Sequence, residues 1–96
     1  MDYSIIWSPD ALEDLAGIGE YIARDSVFYA ESTVNKIFET AQTLSHFPKS
    51  GRVVPEIDNE LIRELFVFQY RLIYEIKGNE IHLLTVIHGK RLLETK

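Results

Sequence analysis

The dipeptide Gly78-Asn79 restricts the fold of this chain more than any other feature. It lies between two apolar runs, residues 70–76 and 80–88, and a two-residue loop of this type demands a tight antiparallel hairpin. A third apolar run, residues 61–68, precedes them. Residues 61–93 therefore read as three strands punctuated by Arg63, Arg71, His88, Lys90 and Arg91. Pairing Lys77 with Glu80 places Arg71 opposite Val86 and Gln69 opposite His88. Side chains alternate with period two. Arg71, Ile73 and Glu75 then share a face with His82, Leu84, Val86 and His88. Tyr70, Leu72, Tyr74 and Ile76 share the other face with Ile81, Leu83, Thr85 and Ile87. The second set is the more apolar and is expected to pack on helices. On this register Arg71 and His88 are near-diagonal neighbours on the open face.

The turn at Phe68-Gln69 decides where Arg63 goes. A two-residue turn pairs Val67 with Tyr70 and puts Arg63 opposite Tyr74, on the covered face. A three-residue loop puts Arg63 beside Arg71. Burying an unpaired arginine is costly, which favours the three-residue loop.

The chain before these runs supplies helical support. Residues 3–7 are a short apolar run rich in β-branched and aromatic residues and read as a strand. Ser8 is an N-cap, Pro9 suits the first helical position and Asp10 suits the positive end of the helix dipole. Ala11, Leu15, Ile18 and Ile22 follow at helical spacing, with Leu12 beside them. Gly17 and Gly19 weaken that helix and imply close packing against a neighbour. Ser26 is a second N-cap. Ala30, Val34, Ile37, Ala41 and Leu44 mark the second helical face, widened by Phe38, until Phe47-Pro48 ends it. The short connection makes the helices an antiparallel hairpin. Residues 49–60 read as a loop. The fold class is α+β, in the order β-α-α-β-β-β, with a helix hairpin on one face of a mostly antiparallel four-stranded sheet. Ninety-six residues make one domain, 1–96.

The net charge of -5 argues against non-specific nucleic-acid binding, which needs a strongly basic surface. With no cysteine, disulfides and thiolate metal sites are excluded. No His-Glu-x-x-His spacing marks a metal site, and no cofactor is expected. The N-terminus has no signal-peptide pattern and no apolar run approaches a membrane span, so the expected location is cytoplasmic, without membrane contact. Arginine offers a fork of donors for phosphate or carboxylate, and histidine moves protons near neutral pH. A face carrying Arg71, His88 and Arg91 could hold a phosphodiester, the arginines as clamp and transition-state stabiliser and His88 as general acid or base. The structural alternative pairs Arg71 with Glu64 or Glu75, has His88 donate to a backbone carbonyl, and leaves Lys90 and Arg91 as a solvated tail.

Several ordered motifs resemble the RelE/ParE toxins of type II toxin–antitoxin modules. Ser8-Pro9-x-Ala11-x-x-Asp14-Leu15-x-x-Ile18 is similar to the family's opening, and Phe47-Pro48-x-x-Gly51-Arg52 to its loop after the second helix. Ile62-Arg63-Glu64-Leu65, Tyr70-Arg71-Leu72-Ile73-Tyr74 and Val86-Ile87-His88-Gly89-Lys90-Arg91 are similar to its three core strands. The resemblance implies the α+β fold derived above and a growth-inhibiting toxin neutralised by a cognate antitoxin, DNA being reached only through that antitoxin. It implies one of two targets. In the ribonuclease branch, acting with the ribosome on mRNA, Arg71, His88 and Arg91 match catalytic positions. The strand positions that carry catalytic lysines there are Ile62 and Glu64 here, and the base-stacking C-terminal tyrosine has no counterpart. Arg63-Glu64-Leu65 is closer to the branch that inhibits DNA gyrase. The leading expectation is therefore a gyrase-directed plasmid-stabilisation toxin with Arg63, Arg71, Lys90 and Arg91 as target contacts and no catalytic site. A non-toxic, antitoxin-binding repressor module is a third reading. With Arg71 on an open face, its replacement by alanine should leave the fold intact.

Overall fold

The structure, a computed structural model, describes residues 2–91. Seven elements follow in order: β1 (Ser4–Trp7), α1 (Pro9–Ala23), α2 (Val27–Thr43), β2 (Arg52–Val53), β3 (Ile62–Val67), β4 (Tyr70–Lys77) and β5 (Glu80–His88). The strands form one sheet in the order β1-β5-β4-β3-β2. Only the β1–β5 pair is parallel. The α+β class and the mostly antiparallel sheet agree with the sequence reading. The fifth strand, β2, is a two-residue segment inside the stretch read as a loop, and pairs with β3 through Arg52–Glu64 and Val53–Arg63.

Local chemistry forms the helices where the caps imply. The Ser8 side chain accepts from the Ala11 N–H at 3.0 Å, and Ser26 caps α2 by accepting from the Tyr29 N–H at 3.1 Å. Both helices lie on one face of the sheet. There Ala11, Leu15, Ile37, Ala41 and Leu44 meet Val67, Tyr70, Leu72, Tyr74, Ile76, Ile81, Leu83 and Val86 in a continuous apolar core. Gly19 permits close approach of α2, since a Cβ there would stand 3.3 Å from a Val34 methyl. Gly17 faces open space and has no such packing role.

Two features of register depart from simple alternation. Lys77 pairs with Glu80 as the Gly78-Asn79 turn requires, with Gly78 at φ +59°. Between the Ile73–Thr85 and Tyr74–Leu83 pairs, however, Leu84 is an extra residue on β5. Beyond this bulge Arg71 pairs with Ile87, not Val86, and His88 pairs with Tyr70, not Gln69. The bulge turns Val86 into the core and spares Thr85 from burial there. Thr85 Oγ1 instead donates to Asp14 Oδ2 at 2.6 Å, and the Val86 N–H donates to the same oxygen at 3.0 Å. Asp14 thus satisfies the stretch of β5 that lies past the end of β1. The second departure is the Phe68-Gln69 turn. It has two residues, Val67 pairs with Tyr70, and Phe68 takes φ +54°. Arg63 therefore stands opposite Tyr74 on the covered side, contrary to the expected three-residue loop.

Candidate functional site

The basic residues singled out in the sequence divide among three places. Arg71 points away from the helices, because it alternates with Tyr70 and Leu72 along β4. It is only 4% exposed. Its Nε donates to Glu64 Oε1 at 2.6 Å. Its two terminal nitrogens grip both oxygens of Glu56 at 2.7 and 2.8 Å, and Nη1 also donates to the Arg91 carbonyl at 3.0 Å. Arg52 Nε donates to the second oxygen of Glu64 at 2.6 Å. Two arginines and two glutamates thus alternate in one chain of charge-assisted bonds across β2, β3, β4 and the β2–β3 connection. Hydrogen bonding to Glu56, with that to Glu64, raises the Arg71 guanidinium above its ordinary pKa despite desolvation. Arg71 is cationic at every accessible pH, and four of its five N–H donors are engaged inside the protein. This corrects its placement on an open face. Of the two structural partners weighed for it, Glu64 is a ligand and Glu75 is not among its bonded partners.

Arg63, half-buried on the covered side, is satisfied differently. Its Nε donates to the Glu60 carbonyl at 2.8 Å and Nη1 to the Gly51 carbonyl at 2.9 Å. Backbone acceptors thus remove the penalty that argued against the covered side. The same corner explains the Phe47-Pro48-x-x-Gly51-Arg52 motif. Tyr74, fully buried, donates its hydroxyl to the Pro48 carbonyl at 2.7 Å and accepts from the Gly51 N–H at 3.1 Å. A Cβ on Gly51 would fall 2.6 Å from the Glu64 carbonyl oxygen, so only glycine fits. Burial raises the Tyr74 pKa, opposed by the Gly51 hydrogen bond and the Arg63 charge.

His88 lies on the helix side of the sheet, opposite Tyr70, with ring centroids 5.9 Å apart in an edge-on contact. Its Nδ1 accepts from the Lys90 N–H at 3.2 Å, not the donation to a carbonyl considered from sequence. It shares a cleft of about 480 Å³ with Glu13, Asp14, Tyr21, Tyr70 and Arg91. Lys90 and Arg91 are exposed. The expected trio is therefore divided: Arg71 lies beneath one face, His88 lies beside α1 on the other, and the exposed Arg91 meets Arg71 through its backbone carbonyl while also lining the His88 cleft. The extra residue in β5 makes this separation. Thr85, the one hydroxyl in an otherwise aliphatic stripe, was the signal in the sequence.

Sequence reasoning missed Glu56 and Arg52. Neither belongs to a strand pattern strong enough to place it, and only the folded connection brings Glu56 over β4. Among the described residues, no cluster of histidine, aspartate or glutamate has the makings of a metal site, and no helix is long and apolar enough to cross a membrane. The C-terminal residues 92–96 lie outside the described residues.

Comparison with known proteins agrees with this architecture. Residues 5–93 match the model of the family described as the ParE toxin of the type II toxin–antitoxin system parDE. The chain is 27% identical over 88 residues to Toxin RelE2 of Caulobacter vibrioides, covering 92% of this chain and 97% of that one. Its fold is similar to that in the chromosomal ParDE system of P. aeruginosa, with a TM-score of 0.76, 23% identity and coverage of 92% and 97% of the two chains. It is also similar to a chain of the RelBE2 toxin–antitoxin complex of Mycobacterium tuberculosis, with a TM-score of 0.66, 20% identity and coverage of 92% and 99%. With a family match spanning almost the whole chain and the helix hairpin on its five-stranded sheet, this protein belongs to the ParE toxin family, within the RelE/ParE superfamily of type II toxin–antitoxin toxins.

Proposed function

We propose that the chain inhibits growth by binding DNA gyrase, under the control of a cognate antitoxin, with no catalytic step of its own. The observation that carries this reading is the state of Arg71. A phosphate clamp needs an accessible fork of donors, and four of the five N–H donors of the almost wholly buried Arg71 are taken by Glu56, Glu64 and the Arg91 carbonyl. A general acid or base must reach the same reacting group as the clamp. His88 lies across the sheet from Arg71. Of the four basic residues expected to meet the target, Arg63 and Arg71 are engaged internally, and Lys90 and Arg91 are exposed. A paired assay tests this: gyrase supercoiling, and translation in vitro with mapping of mRNA ends. Lost supercoiling with intact mRNA supports the reading, and ribosome-dependent cuts with unaffected gyrase overturn it. Induction without slowed growth would favour the repressor module instead.

The antitoxin fits the groove between α1 and α2. Ala23, Val27, Ala30 and Val34 floor it, with Glu20 and Glu31 among its lining residues. An amphipathic antitoxin helix bearing basic residues beside its apolar stripe suits such a groove, with an extended segment reaching the sheet. Two of the similar folds come from a toxin–antitoxin system and a toxin–antitoxin complex. Co-purification of the chain with the product of its neighbouring gene tests the pairing, and separate elution would refute it.

A further inference from the structure

Four strongly exposed aromatic residues gather at one end of the molecule. Tyr21 lies in the last turns of α1, Phe28 and Tyr29 open α2, and Phe68 forms the tip of the β3–β4 turn. Each is at least 64% exposed. Buried Tyr70 links them, because it lines one cleft with Tyr21 and a second with Tyr29 and Phe68. Phe28 packs edge-on against Tyr29 with ring centroids 5.6 Å apart, and the Arg24 guanidinium lies 5.9 Å from the centre of the Tyr21 ring.

Phe68 departs from what its position favours. The two-residue turn gives it φ +54°, a region that a bulky side chain enters at a cost and glycine enters freely. Its ring nevertheless stays in solvent. Strain kept at an exposed position points to a contact made there. The cleft at its foot measures about 350 Å³ and is lined by Ile22, Tyr29, Ser32, Thr33, Gln69 and Tyr70 besides Phe68 itself. None of these residues is charged, so the cleft suits an aromatic ring and offers no counter-charge to a nucleic acid or a basic helix. A projecting ring and a cleft that fits it thus lie side by side, which is what an isologous two-fold contact requires. Charge agrees with this. Arg24 and Asp25 are adjacent and opposite at this end, so two copies can meet there despite the net charge of -5. The exposed parts of four aromatic side chains amount to roughly 500 Å² per copy and about 1,000 Å² per pair, the least that a specific interface needs.

We propose that this end of the molecule is the contact surface of a homodimer of the free toxin, in which Phe68 of each copy enters the cleft of the other beside Ser32 and Thr33. Dimerisation through this end is independent of which target the toxin inhibits.

Sedimentation equilibrium of the intact chain alone, from about 1 μM to about 1 mM, spans the range in which so small an interface dissociates. The wild type should pass from monomer to dimer, with concentration-dependent NMR shifts centred on residues 21–33 and 68–70. Phe68→Gly removes the ring and relieves the backbone. It should keep the wild-type circular dichroism and dimerise at least about tenfold more weakly, the loss of one hot-spot side chain. Ser32→Arg, at an exposed helical position, brings like charges together across the two-fold and should abolish the dimer; it serves if the glycine variant is poorly folded. Phe47→Ser, at a comparably exposed aromatic beyond the other end of α2, should leave the dimer unchanged. A chain that stays monomeric throughout the series overturns the proposal, as does a dimer indifferent to both Phe68→Gly and Ser32→Arg. Shifts at the same amides on adding the product of the neighbouring gene, without self-association, would overturn it by assigning this end to the antitoxin.

Discussion

The two faces of the central sheet are closed by different physics. On the helix side, Leu72, Tyr74, Ile81 and Leu83 are wholly buried against α1 and α2, and the face is held by apolar area and close packing. On the other side, Glu64 and Arg71 are buried almost as deeply, beneath the connection that carries Glu56. The first face tolerates loss of a side chain in proportion to the cavity left behind. The second depends on the Arg71–Glu64 pair, because removing either buried ion strands the other without water. A small domain can thus hide a charged sheet face without a third layer of helices, provided its charges are matched.

The sharpest way to break the second face is Arg71→Ala. It strands the Glu64 carboxylate and should cost about 3–5 kcal/mol of unfolding free energy in urea titration. This reverses the expectation, drawn from an open-face placement, that the fold would be indifferent. A loss of toxicity in that variant therefore reports unfolding as readily as target binding. On the first face, Leu72→Ala should cost about 3 kcal/mol, a cavity effect insensitive to salt and pH. Asp14→Ala leaves the Val86 N–H and the Thr85 hydroxyl without their acceptor and should cost about 2 kcal/mol. Slower exchange of the Val86 amide in that variant than in the wild type would contradict the role given to Asp14. Tyr74→Phe should cost about 1 kcal/mol by removing bonds to Pro48 and Gly51. Its pH signature is distinctive. The Tyr74 pKa is raised in the folded state, so its contribution is full below the ordinary tyrosine value and is lost as pH rises through the folded one. The phenylalanine variant should lack that part of the alkaline decline in melting temperature. Arg52→Ala should have the smallest effect, at most about 1 kcal/mol, because its side chain is 60% exposed and the pair is partly screened by solvent.

Much of the architecture is legible from local chemistry, and the site is not. Ser8 and Ser26 start both helices, and Gly78-Asn79 closes the last hairpin, because caps and two-residue turns involve neighbours in the chain. Arg63 and His88 were misplaced for opposite reasons. The rule against burying an arginine overlooks carbonyls that reach it from residue 60, three positions away, and from residue 51, which adjoins it only after folding. Strict alternation along β5 overlooks the bulge that Asp14, 71 residues distant from Thr85, makes favourable. Toxin family resemblance identified Arg71 as important but could not distinguish a clamp for phosphate from the centre of an ion chain.

Short-range patterns alone determined the helix hairpin, the order of the strands along the chain and the apolar stripe of β4, since capping, turn geometry and side-chain periodicity act within a few residues. Tertiary structure alone decided which basic groups are free. It set Glu56 against Arg71, Gly51 against Tyr74 and Arg63, and Asp14 against β5. The physical reason is that the cost of a buried charge depends on the partners that surround it, and those come from segments far apart in the chain.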